Sequence, residues 1–390
     1  MSWFVEHWVA SSLLVIYIAV LLYNAYIGNK AATGVGGYYV GNRQLGGTVI
    51  GISFFATFAS TNTFIGHAGK GYDYGIAWFT MAVLLVIFSW ISWRWIGPPL
   101  RRFATAWDAL TIPDYIHGRI LGENPDAKRH PLLLMSASVI VFASILYLLA
   151  IFKGAGHLFQ IFLGVPYEVA IGVTLIVVVL YTSIGGFVSV VRTDAIQGVL
   201  MLIGAMTIFY FVTHAAGGVT SVNQLIDMPA KEHLFDLNSA VPLAVLLGVS
   251  LSGALKLIVD PRQLSRFYGL KSDAEVKRGM WIAVLGMTLI LACMFPIGLY
   301  AHLILENVAD TDLIIPLLVN DPAIFPFWVT DLLIVSIVSA AMSSMDSVLL
   351  VASSTLYKNI IAPFWAIENE VRWSRATVIA FACISALLAL

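Results

Sequence analysis

Ser336, Ser339, Ser343, Ser344, Asp346 and Ser347 all lie within one apolar run, Ile334 to Val351, which reads IVSIVSAAMSSMDSVLLV. On a helix, Ser336, Ser343 and Ser347 recur at steps of seven and four, so they line one side with Asp346 beside them. Hydroxyls and a carboxylate in hydrocarbon need partners. Such a stripe is expected to face a cavity or another helix rather than lipid, and the cargo it suits is an ion. The opposing reading is that Ser343 and Ser344 are small residues packed against a neighbouring helix.

The stripe needs a membrane scaffold, and the composition predicts one. The chain has 390 residues, of which 59% are hydrophobic and 11% charged, against roughly 25% charged in soluble domains. Mean hydropathy is +0.89. The expectation is an all-α polytopic membrane protein in a lipid bilayer. A net charge of −1 with no basic run gives no sign of a nucleic-acid partner. Cys293 and Cys383 lie inside apolar runs and offer neither a disulfide framework nor metal-ligand spacing. No Asp-rich metal motif, paired histidines or acid/base constellation occurs in the spans, which disfavours an enzyme, and no cofactor is expected.

Runs near the roughly 20 residues that cross a bilayer place a leading helix at 9–27. Core helices one to eight come next at 46–66, 75–97, 131–152, 168–186, 196–215, 240–259, 280–303 and 327–357, and a ninth run opens at Ala376. The leading helix has no cationic start and no small-residue cleavage site, so it is expected to be retained. Arg43, Arg101, Arg102, Arg192, Arg262, Arg266, Arg278 and Lys358 follow alternate helices, while the intervening loops are expected to hold only Lys70, Lys153 and Lys231. Lys and Arg accumulate in cytoplasmic loops, which puts the N-terminus outside.

Two spans look broken. Helix one is interrupted by ATFASTNT, Ala56 to Thr63, whose short polar side chains bond backbone groups in non-helical conformations. Helix six is interrupted by GVSLSG, Gly248 to Gly253. A broken span in each half points to a secondary transporter of two inverted repeats with its site at the midplane. The expected organisation is a single transmembrane domain over 1–390, with a first repeat at 46–215 and a partial second repeat at 240–390. Helix ten is missing from that plan, so the chain reads as a fragment of a longer protein and is expected to be inactive alone.

Four stretches carry a resemblance: GNRQLGGTVIGISFFATFASTNTFIGHAGKGYDYG, LYTSIGGFVSVVRTDAIQGVLMLIGA, DPRQLSRFYGLKSDAEVKRG and SAAMSSMDSVLLVASSTLYKNI. In this order they resemble the sodium/solute symporter family, the pantothenate and proline branches above all. The resemblance implies a leucine-transporter-like fold, symport of sodium with a small organic solute, and a multi-pass place in the bacterial inner membrane. It also implies a sodium site made of the carbonyls of Ala56, Ala59 and Ala340 and the hydroxyls of Ser343 and Ser344. Helical geometry agrees on one part, since the carbonyl of Ala340 points toward the residues three and four ahead.

Asp194 matches the family's helix-five aspartate, associated with sodium leaving toward the cytoplasm. With Gln197 it also has the spacing of a capping box that opens a helix. Asp346 is expected to give an inward-facing cavity a negative potential, or else to be a carboxylate bonded to a neighbouring hydroxyl. In the sugar-transporting members, helices one, two and seven supply a glutamine, a glutamate and a lysine. The matching positions here are Thr63, Ala82 and Met287, which cannot form that hydrogen-bond set. A carboxylate-bearing solute fits better, because Lys256 stands in helix six. Its alternatives are snorkelling to the surface or pairing with Asp260. Ser60, Asn62, Thr63 and Ser252 are the other substrate candidates. A rival class is a symporter-like sensor module fused to a signalling kinase.

Overall fold

The computed structural model describes residues 7–122, 128–238, 241–306, 308–365 and 368–390. Among them, eight helical stretches are long and apolar enough to cross a membrane. The leading helix is Trp8–Ala31. The longest stretch, Tyr167–Ala215, is not one span, because Gly186 sits at φ 57° and ψ −152°. Only glycine adopts that geometry readily, and a Cβ there would meet the carbonyl oxygen of Tyr38 at 2.5 Å. Helix four therefore ends and helix five begins at Gly186, earlier than the start at 196 expected from hydropathy. Arg192 and Asp194 interrupt the apolar run, yet both lie inside helix five.

Helix eight, Phe327–Thr355 with a π-helical turn at Leu356–Ile361, is the axis of the fold. Every residue from Leu333 to Thr355 is buried, so its serines do face protein. The leading helix and helices three, four and five pack around it, with both halves of helix one. Helix three, Pro131–Leu163, instead exposes Met135, Val139, Phe142 and Leu146. These recur at helical spacing and form an apolar face of the kind that meets lipid. Lys153 lies within this helix rather than in a loop.

Helix one is broken as expected. Gly47–Phe58 stops, Ala59 and Ser60 are extended, and Thr61–Tyr74 continues. Its first half crosses helix seven, Asp273–Met294, at Gly51 and Gly279, where a Cβ on Gly51 would lie 2.6 Å from the carbonyl oxygen of Gly279. Close backbone approach of this kind is how helices associate in lipid.

Helix six is broken elsewhere than expected. GVSLSG is helical within Leu243–Val259, and the break falls at Asp260, ahead of a second segment Pro261–Tyr268. Small residues inside a membrane helix are tolerated, so Gly248 and Gly253 do not interrupt it. Pro261 does, because it restricts the preceding residue to extended geometry. Asp260 has φ −67° and ψ 121°, and its carboxylate accepts from the amide of Arg262 at 2.9 Å to cap the new helix.

One end of the bundle is rich in arginine and is tied together. Leu45 donates its amide to the carbonyl of Gly269 at 3.0 Å and accepts from the amide of Lys271 at 3.1 Å, joining the start of helix one to the end of helix six. Arg43 donates to the carbonyls of Tyr268 (3.4 Å) and Ala109 (3.0 Å) and to Asp108 (2.9 Å). Asn42, Arg43 and Asp108 have φ of 52°, 57° and 46°, the left-handed non-glycine residues among those described. Asp114 accepts from Lys358 (2.9 Å) and Asn359 (2.8 Å) at the end of helix eight. Burial opposes its ionisation, but Lys358 and these donors outweigh it and hold the carboxyl below its usual range.

Candidate functional site

The break in helix one frees two named oxygens. In an unbroken helix the amide of Ser60 would donate to Ala56 and that of Thr63 to Ala59. Here the amide of Ser60 donates to the Thr63 hydroxyl (3.1 Å) and that of Thr63 to the Ser60 carbonyl (2.9 Å). The carbonyls of Ala56 and Ala59 are thereby released at a buried position. Ser343 on helix eight takes up one of them, its hydroxyl lying 3.1 Å from the Ala56 oxygen and 3.3 Å from the Ala340 oxygen. Ser344 beside it is fully buried, and its hydroxyl has no partner among the described residues. The structure thus brings Ala56, Ala340 and Ser343 together. Neutral carbonyls gathered around a buried serine hydroxyl suit a monovalent cation, as unwound backbone does in secondary transporters.

A charged cluster lies next to this neutral one. Asp194 is not a helix cap; it is fully buried in the middle of helix five and accepts from Ser53 at 2.6 Å. Gln197, its expected capping partner, donates instead to the hydroxyl of Tyr17 on the leading helix. Across from Asp194 stands Arg266, also fully buried. The guanidinium donates to Asp194 (2.8 Å), Ser53 (2.9 Å), Thr57 (2.7 Å) and Ser347 (2.5 Å). Counting Arg266 and Arg262 among cytoplasmic loop charges was therefore wrong, since both sit in the second half of helix six. Ser53 and Thr57, four apart on one face of helix one, were the overlooked signal, together with Asp260-Pro261, a helix-start signature.

Asp346 is fully buried and accepts from Tyr181 on helix four (2.9 Å) and from Ser347 (3.2 Å). The hydroxyl-bonded alternative describes it, and it lines no open cavity in this conformation. Ser336 bonds the carbonyl of Leu200 at 3.0 Å, which explains that serine as a helix contact.

The substrate candidates form two groups. Ser60, Asn62 and Thr63 lie at the break of helix one, where the Thr63 hydroxyl is already used as a cap acceptor. Ser252 and Lys256 lie along an open groove on the exposed face of helix six, lined by residues 248–261 of that helix alone. Lys256 does not pair with Asp260, which is taken by Arg262 (3.1 Å to each carboxylate oxygen). Its ammonium instead lies 5.1 Å from the ring centroid of Tyr147, with the Arg262 guanidinium 4.2 Å from the same ring. No hydrogen bond joins the two groups among the described residues. Helix three approaches both, since Gly154, two turns beyond Tyr147, faces the Thr61 hydroxyl.

Buried, broken helices that release backbone oxygens are the mark of a secondary transporter of the inverted-repeat class. Residues 38–390 match the sodium:solute symporter family, and the chain belongs to it. It is 28% identical over 355 residues to a sodium/pantothenate symporter of Haemophilus influenzae, covering 90% of this chain and 72% of that one. To an osmoregulated proline transporter of Bacillus subtilis it is 29% identical over 389 residues, covering 97% and 77%. A solved Na+-coupled sialic acid symporter, in a substrate-bound outward-open state, superimposes with a TM-score of 0.84 at 20% identity, over 98% of this chain and 81% of that one. At that identity the likeness concerns the fold. These relatives are transporters, not enzymes.

Proposed function

We propose that this protein couples inward movement of sodium to uptake of a small carboxylate-bearing organic solute by alternating access. Sodium binds at the carbonyls of Ala56, Ala59 and Ala340 and the hydroxyls of Ser343 and Ser344, bridging helix one to helix eight. The observation that carries this reading is the pair of carbonyls released at the break of helix one, one of which meets the Ser343 hydroxyl of helix eight at 3.1 Å. The arginine-rich end is cytoplasmic and the N-terminus external, in keeping with the usual charge asymmetry.

Family membership supports sodium as the coupling ion, and pantothenate and proline, named for two relatives, are both carboxylates. At the break of helix six, Lys256 and Arg262 outnumber Asp260. The surplus positive charge suits a carboxylate. Sodium moving in across about 100 mV releases roughly 2.3 kcal/mol. A tenfold gradient adds about 1.4 kcal/mol. Together these sustain a few hundredfold accumulation of solute, roughly tenfold per 1.4 kcal/mol.

The test is uptake of radiolabelled pantothenate, proline, short monocarboxylates and sugars by the full-length protein in proteoliposomes under a sodium gradient. Uptake of a carboxylate is the expected result, and uptake of sugars alone overturns the substrate class.

A further inference from the structure

We propose that the solute is a monoanion, a carboxylate without a compensating ammonium, whose charge is taken up by Lys256 and the free edge of the Arg262 guanidinium. This rests on the carboxylate reading above and narrows it from carboxylates in general, amino acids included, to those that carry net charge.

Three observations carry it. The first is an unused donor. Arg262 is buried and spends its Nε and Nη2 on Asp260, at 3.1 Å and 2.5 Å, while its Nη1, also buried, has no hydrogen-bond partner among the described residues. A buried guanidinium nitrogen without an acceptor costs free energy, and an arriving carboxylate oxygen recovers it.

The second is a count of charge. Lys256 and Arg262 face one ring, that of Tyr147, and Asp260 is committed to the side chain and amide of Arg262. The break therefore holds one positive charge in excess. Inside a membrane such a charge marks a functional site, and here its partner has to come from outside the chain. A zwitterion would need a carboxylate for its ammonium as well. Ser60, Asn62 and Thr63 at the break of helix one supply none. The other buried carboxylates among the described residues are engaged: Asp194 by Arg266 (2.8 Å), Asp346 by Tyr181 (2.9 Å), Asp331 by His7 (2.6 Å) and Glu275 by the Gly47 amide (2.6 Å).

The third is position. Gln263, next to Arg262, donates to the Phe54 carbonyl (3.2 Å) and accepts from the Phe58 amide (3.3 Å) when its amide is turned to satisfy both groups. Phe58 is the last residue before helix one opens. The surplus charge thus lies beside that opening, where Ser60 and Asn62 offer neutral polar groups to the rest of a small solute.

The experiment compares matched pairs in the full-length protein under saturating sodium: cyclopentanecarboxylate against proline, and lactate against alanine. The readout is the half-saturating concentration, from uptake of the labelled compound into proteoliposomes or from protection against thermal unfolding. In each pair the monoanion is expected to half-saturate at least tenfold lower than the zwitterion. Lys256→Gln removes the excess charge and is expected to bring the two members of a pair within about threefold, chiefly by weakening the monoanion. Arg262→Gln is expected to weaken the monoanion about tenfold and the zwitterion less. A merely structural role weakens both members equally, so an unchanged ratio in the variants overturns the proposal. If Arg262→Gln does not fold, Lys256→Gln decides alone by the same ratio. Preference for the zwitterion in the native protein overturns the proposal and leaves carboxylate symport standing, whereas uptake of sugars alone overturns both.

Discussion

The chain breaks two membrane helices, and it breaks them by different chemistry. In helix one there is no proline: Ser60 and Thr63 divert two amides to local partners, and the carbonyls of Ala56 and Ala59 are left over as neutral oxygens. In helix six, Pro261 removes an amide, Asp260 caps the second segment, and Arg262, Lys256 and Tyr147 fill the gap with charge and an aromatic face. The first break is lined by neutral oxygens, and the second is filled by charged and aromatic side chains. A weakly bound cation that must also leave is served by the first arrangement. A charged organic group is better served by the second, where a net positive charge is already held in place.

The largest expected effect tests whether the charges at the second break are held out of water. Asp260→Ala strands Arg262 in a mostly buried position, and thermal or denaturant unfolding in detergent should show a loss of about 3–5 kcal/mol. A loss below about 1 kcal/mol, on the scale of an exposed pair, would mean that the charges at this break are solvated. Next comes the first break. Ser343→Ala with Ser344→Ala should raise the sodium needed for half-maximal uptake about tenfold, or roughly 1.4 kcal/mol. An unchanged sodium dependence would remove the helix-eight half of the proposed site. Thr63→Val takes away the acceptor for the Ser60 amide and should cost about 1 kcal/mol of stability. If Ser60 then donated to Ala56, the break would partly heal and sodium affinity would fall as well.

The smallest effect concerns the second half of helix one, Thr61–Tyr74, which is held by His302. Its Nε2 donates to the Tyr72 carbonyl (3.0 Å) and its Nδ1 accepts from the Lys231 ammonium at 2.9 Å. Burial pushes the His302 pKa down to about 4. The unfolded chain therefore binds this proton more readily than the folded one. The stabilising contribution is complete above the ordinary histidine range near 6.5 and is lost as pH falls through about 4. The unfolding midpoint of the native protein should fall more steeply over that window than that of His302→Gln, and parallel curves would exclude the effect.

How much of the fold and site was legible in the sequence depends on the range over which each signal acts. The break in helix one was legible because its cause is local: Ser60, Asn62 and Thr63 compete for amides within a few residues. The break in helix six was misplaced because glycine and serine carry the same local signal but cost little inside lipid. Pro261 was taken for the end of a span. Arg266 was hidden for a different reason. Its partners Ser53, Thr57, Asp194 and Ser347 are distant in sequence, and a charge beyond an apolar run looks like a loop charge until those partners are brought around it. Asp194 shows the converse, since Asp-x-x-Gln has the spacing of a helix cap whether or not a helix starts there. Ser339 and Ser344 remain without hydrogen-bond partners among the described residues; Ser344 has an account as an ion ligand, and Ser339 has none.

The clamp at the arginine-rich end has a consequence for attempts to make this protein more robust. Asn42, Arg43 and Asp108 all hold left-handed backbone, which favours glycine, while making the contacts that keep that end shut. Part of the binding energy of the clamp is thus spent on its own distortion, and the closed arrangement is shallower than its hydrogen bonds suggest. Selection for heat resistance would readily relieve that distortion, for instance by Asn42→Gly, which leaves the Arg43–Asp108 contact in place, and would deepen one side of a cycle that has to visit both. Variants chosen for endurance at these positions are expected to be slow carriers.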